Sequence, residues 1–119
     1  MSYVDGFLVP VPKRKAQAYL RMSRKAGKIW REYGALDYVE CLADDVKPGK
    51  WTSFPQAVKL KAGEAVVFSW IVYKSRRDRD RINAKVMKDK RLASMMDPKK
   101  LPFDGKRMMW GGFKVIVDL

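Results

Sequence analysis

The sequence predicts an α+β fold, an antiparallel sheet that carries two long helices on one of its faces. Three observations predict it. Residues near the N-terminus and again from Leu36 to Ala43 alternate between apolar and polar, which is typical of half-buried strands. The segment from Lys13 to Tyr33 changes to a helical period. The run Ala65 to Tyr73 is apolar on both alternating faces, which predicts a central strand covered on both sides.

The N-terminal half predicts a strand, a helix and a second strand. The first strand runs from Tyr3 to Pro10 and is closed by prolines, which cannot donate to a ladder. The helix from Lys13 to Tyr33 places its apolar residues on one side, and Gly34 stops it. The second strand, Leu36 to Ala43, ends at a polar loop that begins with Asp44.

The segment Ser53 to Leu60 is ambiguous. Pro55 favours the start of a short helix, whereas the turn after Leu60 favours a hairpin. We favour a short additional strand here. It is followed by the strand Ala65 to Tyr73.

A second helix and a last strand complete the pattern. Ser75 gives a helix-start signal, and the helix extends to about Lys88. A helical turn is expected at Arg91 to Met96, and the last strand at Phe113 to Leu119 is entered through Gly111 and Gly112. The order is therefore β-α-β-(β)-β-α-β, the ferredoxin-like arrangement, within one domain of residues 1–119.

Both helices on one side leave the other sheet face bare. Apolar patches of several hundred Å² mark interaction surfaces in most proteins, so we expect this face to meet the sheet of a second copy. The sequence therefore predicts a homodimer.

Composition excludes several classes of function. The 119 residues contain no His, which removes the commonest metal ligand and every Ser-His or Cys-His nucleophile. Cys41 is the single cysteine, so neither an intrachain disulfide nor a cysteine zinc site is expected. No apolar run spans a bilayer and no leader pattern begins the chain, which favours a cytoplasmic protein. Because His and a Cys pair are lacking, we expect no metal site, and we expect no cofactor.

Several stretches are familiar as motifs. They are YVDGF at Tyr3 to Phe7, GALDYVEC at Gly34 to Cys41, VVFSWIVYKSR at Val66 to Arg76, MMDP at Met95 to Pro98 and PFDGKRMMWGGF at Pro102 to Phe113. Together they resemble the YbaA-like family of bacterial proteins, domain of unknown function 1428. The resemblance implies a dimeric α+β barrel, similar in shape to antibiotic-biosynthesis monooxygenases. Proteins of that shape include enzymes and plain binding modules, so the resemblance implies a fold and leaves the chemistry open.

The leading functional hypothesis is a pocket for a small organic molecule. Glu40 shares a strand face with Tyr38 in a half-buried segment, and a buried carboxylate needs a partner. If that face looks into a cavity, Glu40 is a candidate general base; if it lies at a dimer seam, an Arg would neutralise it. Arg107 is the candidate anion anchor in a cofactor-independent reaction, and whether the protein is an enzyme stays open. Further candidate ligand-binding residues are Tyr38, Trp70, Asn83 and Asp104.

A second hypothesis is sequence-independent binding of nucleic acid or another polyanion. The formal net charge is +13, and the first helix carries a coherent basic face. The candidate contacts are Arg21, Arg24, Lys28 and Arg31. A solvated helix face explains the same charges, and we favour that explanation. A third hypothesis is a structural or regulatory dimer without a ligand.

Overall fold

A four-stranded antiparallel sheet organises the chain. The computed structural model describes residues 1–119. The strands are β1 (Tyr3–Pro12), β2 (Asp37–Leu42), β3 (Glu64–Tyr73) and β4 (Met109–Lys114). Their order across the sheet is β2-β3-β1-β4, with every neighbouring pair antiparallel. This is the ferredoxin-like arrangement, so the predicted fold class is confirmed.

The helices fill the connections between strands. They are α1 (Ala16–Glu32), α2 (Phe54–Ala57), α3 (Arg76–Met87) and α4 (Lys90–Met95), with short 3-10 turns at Lys13–Lys15 and Gly105–Arg107. Ser75 caps α3 by accepting a hydrogen bond from the Asp78 amide, as the sequence predicts. None of the helices has the length and apolarity that a bilayer crossing requires.

The core lies between the long helices and one face of the sheet. Ala26 and Ile29 of α1 join Ile82 and Val86 of α3 over Tyr73 of β3. A smaller cluster packs Phe103, from the segment before β4, on the central strands. Both long helices therefore cover the same sheet face.

The opposite sheet face is covered only in part within one chain, by Phe54 of α2, whose ring centroid lies 6.0 Å from that of Phe68, while Val66 is 4% exposed. Because side chains alternate along a strand, Phe68 and Trp70 of β3 point away from the helices. Phe68 is 45% exposed, and on β4 Phe113 is 62% and Met109 is 41% exposed. We call this surface, which also includes Val4 and Leu8 of β1, the open sheet face. A single chain thus leaves part of one face of β3 uncovered, although the strand is apolar on both faces.

The predicted additional strand at Ser53 to Leu60 is wrong. The segment forms α2, because the Ser53 side chain accepts a hydrogen bond from the Gln56 amide and Pro55 occupies the first turn. Lys59 then adopts a positive φ of 52°, which turns the chain toward β3. Local capping therefore decides this segment.

The predicted last strand, Phe113 to Leu119, is also misplaced. β4 covers Met109–Lys114, so Gly111 and Gly112 lie inside the strand. The strand ends there because Lys114 pairs with Tyr3, the first residue of β1. The residues that follow extend beyond the sheet, apart from one hydrogen bond from the Val115 amide to the Ser2 carbonyl.

Candidate functional site

Glu40 lies on the helix-facing side of β2, directly opposite Ser69 of β3. Two side chains of α1 reach it. The Tyr19 hydroxyl donates to the carboxylate and lies 2.9 Å from both of its oxygens. Ser23, which is only 2% exposed, donates from Oγ to Oε2 of Glu40. The carboxylate is thus fixed between the first helix and an edge strand of the sheet.

Tyr38 extends this hydrogen-bonded group by one member. Its hydroxyl lies 3.0 Å from Ser23 Oγ, and because the Ser23 proton is directed to Glu40, Tyr38 is the donor. Its ring lies flat against α1 at Gly27. A Cβ at that position would come within 2.6 Å of Tyr38 Cδ1, so the close approach requires glycine. We call Tyr19, Ser23, Tyr38 and Glu40 the Glu40 cluster.

The phenols of the cluster remain protonated donors. Burial, followed by the negative charge of Glu40, raises the pKa of Tyr19 far above its ordinary value of 10.0. The same two causes in the same order raise the pKa of Tyr38. At neutral pH, both hydroxyls therefore keep their protons, which Tyr19 donates to Glu40 and Tyr38 donates to Ser23.

Glu40 has no cationic partner. No Lys or Arg nitrogen lies within 4.0 Å of it, although the chain has 26 Lys and Arg against 13 Asp and Glu. The sequence left two alternatives for this residue, a cavity or a seam with an Arg partner. The structure places its carboxylate between helix and sheet, where hydroxyl groups replace the expected Arg.

Two cavities share Glu40 and Tyr19 as a common wall. The inner cavity, between the helices and the sheet, has a volume of about 100 Å³ and is lined almost entirely by apolar side chains, including Phe7, Met22 and Trp30. The outer groove runs between α1 and the β2 side of the sheet and has a volume of about 450 Å³. Lys13 and Gln17 also line the outer groove. The Glu40 carboxylate is the principal charged group between these two spaces.

Only part of the predicted site comes together around Glu40. Tyr38 does, through Ser23. Trp70 borders the inner cavity, but its side chain belongs to the open sheet face, where its ring centroid is 5.5 Å from that of Phe68. Trp70 is therefore unsuited to stack on a molecule held by Glu40 from the helix side.

Three other predicted residues lie elsewhere. Arg107 makes a bidentate pair with Glu64, at 2.6 and 3.0 Å, and lines neither cavity. Asp104 caps its own turn by accepting from the Lys106 amide at 3.0 Å. Asn83 accepts from Trp30 Nε1 at 2.9 Å, inside the α1–α3 contact. The expected grouping of Arg107 and Asn83 with Glu40 is wrong, because these side chains have local partners.

A second buried carboxylate, Asp5, was not singled out from the sequence. It is 1% exposed and accepts from Arg79 through Nε at 3.0 Å and Nη2 at 2.9 Å. Tyr73 donates to it at 2.9 Å and Asn83 at 3.3 Å. Hydrogen bonding to Asp5 is the main cause that raises the pKa of Arg79 further above its ordinary value. This fully partnered group connects β1, β3 and α3, and it leaves no acceptor facing a cavity.

Sequence comparison identifies the family. Residues 2–105 match the family described as protein of unknown function, DUF1428. The uncharacterized protein YbaA of Escherichia coli strain K12 is 51% identical over 118 residues, covering 99% of both chains. The chain belongs to this family. The DUF1428 match includes Asp5, Glu40 and the whole helical layer, and ends before β4.

Solved structures of other proteins share the fold of this DUF1428 member. A NIPSNAP family protein of Agrobacterium tumefaciens strain C58 superposes with a TM-score of 0.60 at 16% identity, over 96% of this chain and 92% of the other. A dimeric ferredoxin-like protein from an uncultured marine organism has a TM-score of 0.58 at 10% identity, with both chains fully covered. At these identities the likeness establishes the fold alone.

Proposed function

We propose that this protein binds a small organic molecule that presents a hydroxyl or amino donor on an apolar body, with Glu40 as the acceptor. One observation carries the proposal. Glu40 is a half-buried carboxylate without a cation, placed at the wall between an apolar cavity and an outer groove. Taking such a group out of water is costly unless other partners satisfy it, and a ligand donor would supply one.

The chemistry of the carboxylate supports this assignment. An ionised carboxylate has about four acceptor positions, and Tyr19 and Ser23 use only part of them. The outer groove, at about 450 Å³, falls within the range of about 300–1,000 Å³ that is usual for small-molecule sites. The inner cavity would take an apolar substituent. The ligand class is therefore amphipathic.

A catalytic role would use the same carboxylate. Glu40 is the only carboxylate of the cluster and therefore its candidate proton acceptor, whereas burial and the charge of Glu40 raise the pKa of Tyr19 and Tyr38 so that both phenols retain their protons. Arg107 would not anchor the substrate in such a reaction, since Glu64 occupies its guanidinium. A cofactor-independent proton transfer at Glu40 is thus the reaction class that fits the binding proposal.

We also infer that two copies associate through the open sheet face. That face is apolar, and its exposed members include Phe68 and Phe113. A protein of the same fold is described as dimeric, which supports the same assembly here. The helix-facing cavities lie on the other side of the sheet, so a second copy would leave the outer groove accessible.

Thermal-shift measurements test the ligand proposal. The probes are matched pairs that differ in one donor group, p-cresol against toluene and benzylamine against ethylbenzene, followed by a panel of metabolites. A ligand that binds only the folded state adds about 2.7 kcal/mol of stability at roughly 100 times its Kd. We expect the donor-bearing member of a pair to raise Tm at low and at physiological salt.

Glu40→Gln is the decisive variant, because it removes the charge and keeps the shape. Asp45→Asn makes the same change of charge at an exposed loop position and serves as the matched control. The Tm shift should be lost in Glu40→Gln and retained in Asp45→Asn. Equal shifts in both variants, or equal responses to both members of every pair, would contradict the assignment of Glu40 as acceptor.

A further inference from the structure

The outer surface of α1 carries cations that the rest of the molecule does not neutralise. We call Arg21, Arg24, Lys28 and Arg31 the α1 cation row; all four are exposed. None of them lies within 4.0 Å of a carboxylate oxygen, and none donates a side-chain hydrogen bond within the protein. Lys13, Arg14 and Lys15 in the preceding turn, and Lys25 in the helix, are exposed and equally free.

Four of the five arginines on α3 and α4 have carboxylate partners, and Arg77 is the exception. Arg76 and Arg79 pair with Asp80, and Arg81 pairs with Asp78. Arg91 of α4 pairs with Glu32, the acidic residue at the end of α1, and with Asp89. On α3 only Arg77 and Lys85 lack a carboxylate partner, whereas all five cations of α1 lack one. A solvated helix face accounts for interspersed charges, whereas Glu32 is the only acidic residue of α1 and already pairs with Arg91.

The spacing of the row matches an extended anionic partner. Steps of three, four and three residues place the four side chains along one stripe of the helix. At 1.5 Å per residue, the row spans about 15 Å. Phosphates along a nucleic-acid strand present negative charge at a comparable repeat, about one per 3.4 Å of axis on each strand.

We infer that the α1 cation row binds the phosphate backbone of duplex DNA without reading its sequence. Binding of single strands relies on exposed aromatic side chains that stack on bases. The aromatic residues of α1 face inward instead, with Tyr19 bonded to Glu40 and Trp30 to Asn83. The row therefore offers charge contacts and no stacking platform.

Two other polyanions fit the face less well. An anionic membrane is held by helices whose cations flank a large apolar stripe, and Leu20, at 45%, is the only large apolar side chain of α1 that is substantially exposed. The A-form duplex of RNA has a deep and narrow major groove. B-form DNA has a groove about 12 Å wide, close to the diameter of a helix at about 10–12 Å, so phosphates of both strands can reach one helix face.

The inference is independent of the ligand proposal. The α1 cation row lies on the outside of the helical layer, whereas the Glu40 cluster lies beneath it and the open sheet face lies opposite. Loss of one function would not remove the other.

Fluorescence anisotropy with a labelled DNA duplex of mixed sequence tests the inference. The comparison probes are the single strand, an RNA duplex of the same sequence, and vesicles of phosphatidylcholine with phosphatidylserine. We expect the DNA duplex to bind most tightly. Four neutralised phosphates predict a slope of log K against log salt of about −3.6.

Two triple variants distinguish DNA binding by the α1 cation row from binding by the overall positive charge of the protein. The test variant is Arg21→Gln, Arg24→Gln and Lys28→Gln. The control is Arg77→Gln, Lys85→Gln and Lys88→Gln, which makes the same change of net charge at exposed positions of α3 and its C-cap. Circular dichroism verifies that both fold. We expect the test variant to lose at least about tenfold in affinity and most of the salt slope, and the control to stay within about threefold.

Several results would overturn the inference. They are equal losses in the two variants, tighter binding of the single strand or of the RNA duplex, binding of the vesicles without the DNA, and no binding of DNA at low salt.

Discussion

Two carboxylates, Asp5 and Glu40, differ in how completely the protein satisfies them, and this difference separates a structural residue from the proposed binding residue. Asp5 is almost fully buried, and an Arg, a Tyr and an Asn satisfy it. Glu40 is half-buried, has hydroxyl partners only, and borders two cavities. A fully compensated buried charge fixes neighbouring elements in place, whereas a partly compensated one beside empty space can accept a ligand.

Replacing Asp5 by Asn should destabilise the protein strongly. The change removes the buried counter-ion of Arg79 and leaves it only the exposed Asp80, and breaking one partner of a buried pair costs about 3–5 kcal/mol. Urea denaturation followed by circular dichroism measures the free energy of unfolding. Asp45→Asn, on an exposed loop, is the matched control and should stay within about 0.5 kcal/mol of the original chain. Similar losses in the free energy of unfolding for both variants would show that the Asp5–Arg79 pair contributes little to stability.

At this scale the sequence supports the choice of Glu40 but not of its partners. Alternation on β2 places Glu40 with Tyr38, which is correct. The sequence does predict that Tyr19 and Ser23 lie on the same side of α1, because they are four residues apart. Their contact with Glu40 depends on how α1 lies across the sheet, and Gly27 sets that distance. In the sequence Asp5 is an ordinary strand residue, because its partners come from distant positions on β3 and α3.

At the scale of elements, a salt bridge ties the beginning of β3 to the turn before β4. Arg107 of that turn pairs with Glu64, and its Nη2 also donates to the Lys59 carbonyl at 3.0 Å. The guanidinium therefore joins the loop after α2 to two strands. The start of β4 follows from such long-range contacts, which is why the sequence misplaced it, whereas the segment at Ser53 to Leu60 was misassigned because its local cap outweighs the hairpin signal. The long helix and the two central strands, whose patterns are longer, were predicted within a few residues.

The Glu64–Arg107 pair should make stability depend on acidity. Hydrogen bonds from Arg107 are the main cause that lowers the pKa of Glu64 below its ordinary value of 4.5. A carboxyl whose pKa is lower in the folded state stabilises the fold above its unfolded pKa, and this contribution disappears as the pH falls through the folded pKa. Tm measured downward from neutral pH should therefore fall below about pH 4.5.

Glu64→Gln isolates the contribution of this pair. The variant should have a lower Tm at neutral pH, and the difference from the original chain should shrink as the pH falls below 4.5, the ordinary pKa of the group. Asp45→Asn again provides the control for loss of one charge. A Tm difference that stays constant from neutral pH into the acid range would exclude the linkage.

At the scale of the whole molecule, the apolar pattern of β3 predicts a covering layer on both faces of the sheet, and a single chain does not supply the second layer in full. The strand is apolar on both faces, yet the long helices cover only one, and Phe68 on the other remains 45% exposed. The sequence therefore predicted a partner sheet from the same pattern that predicted the strand. The distribution of charge agrees with this division, because the unpaired cations of α1 lie on the helical side of the sheet and the open sheet face is apolar.

The open sheet face should hold two copies together in solution. Analytical ultracentrifugation should give about twice the chain mass of 13.8 kDa. Phe113→Glu places a charge on that face at a side chain that is 62% exposed in one chain, so the monomer can still fold while association is opposed by burial of an unpaired carboxylate. Met87→Glu on α3, at 61% exposure, is the matched control and should remain dimeric. A monomeric original chain, or equal dissociation of both variants, would mean that the two-sided pattern of β3 serves some purpose other than pairing with a second sheet.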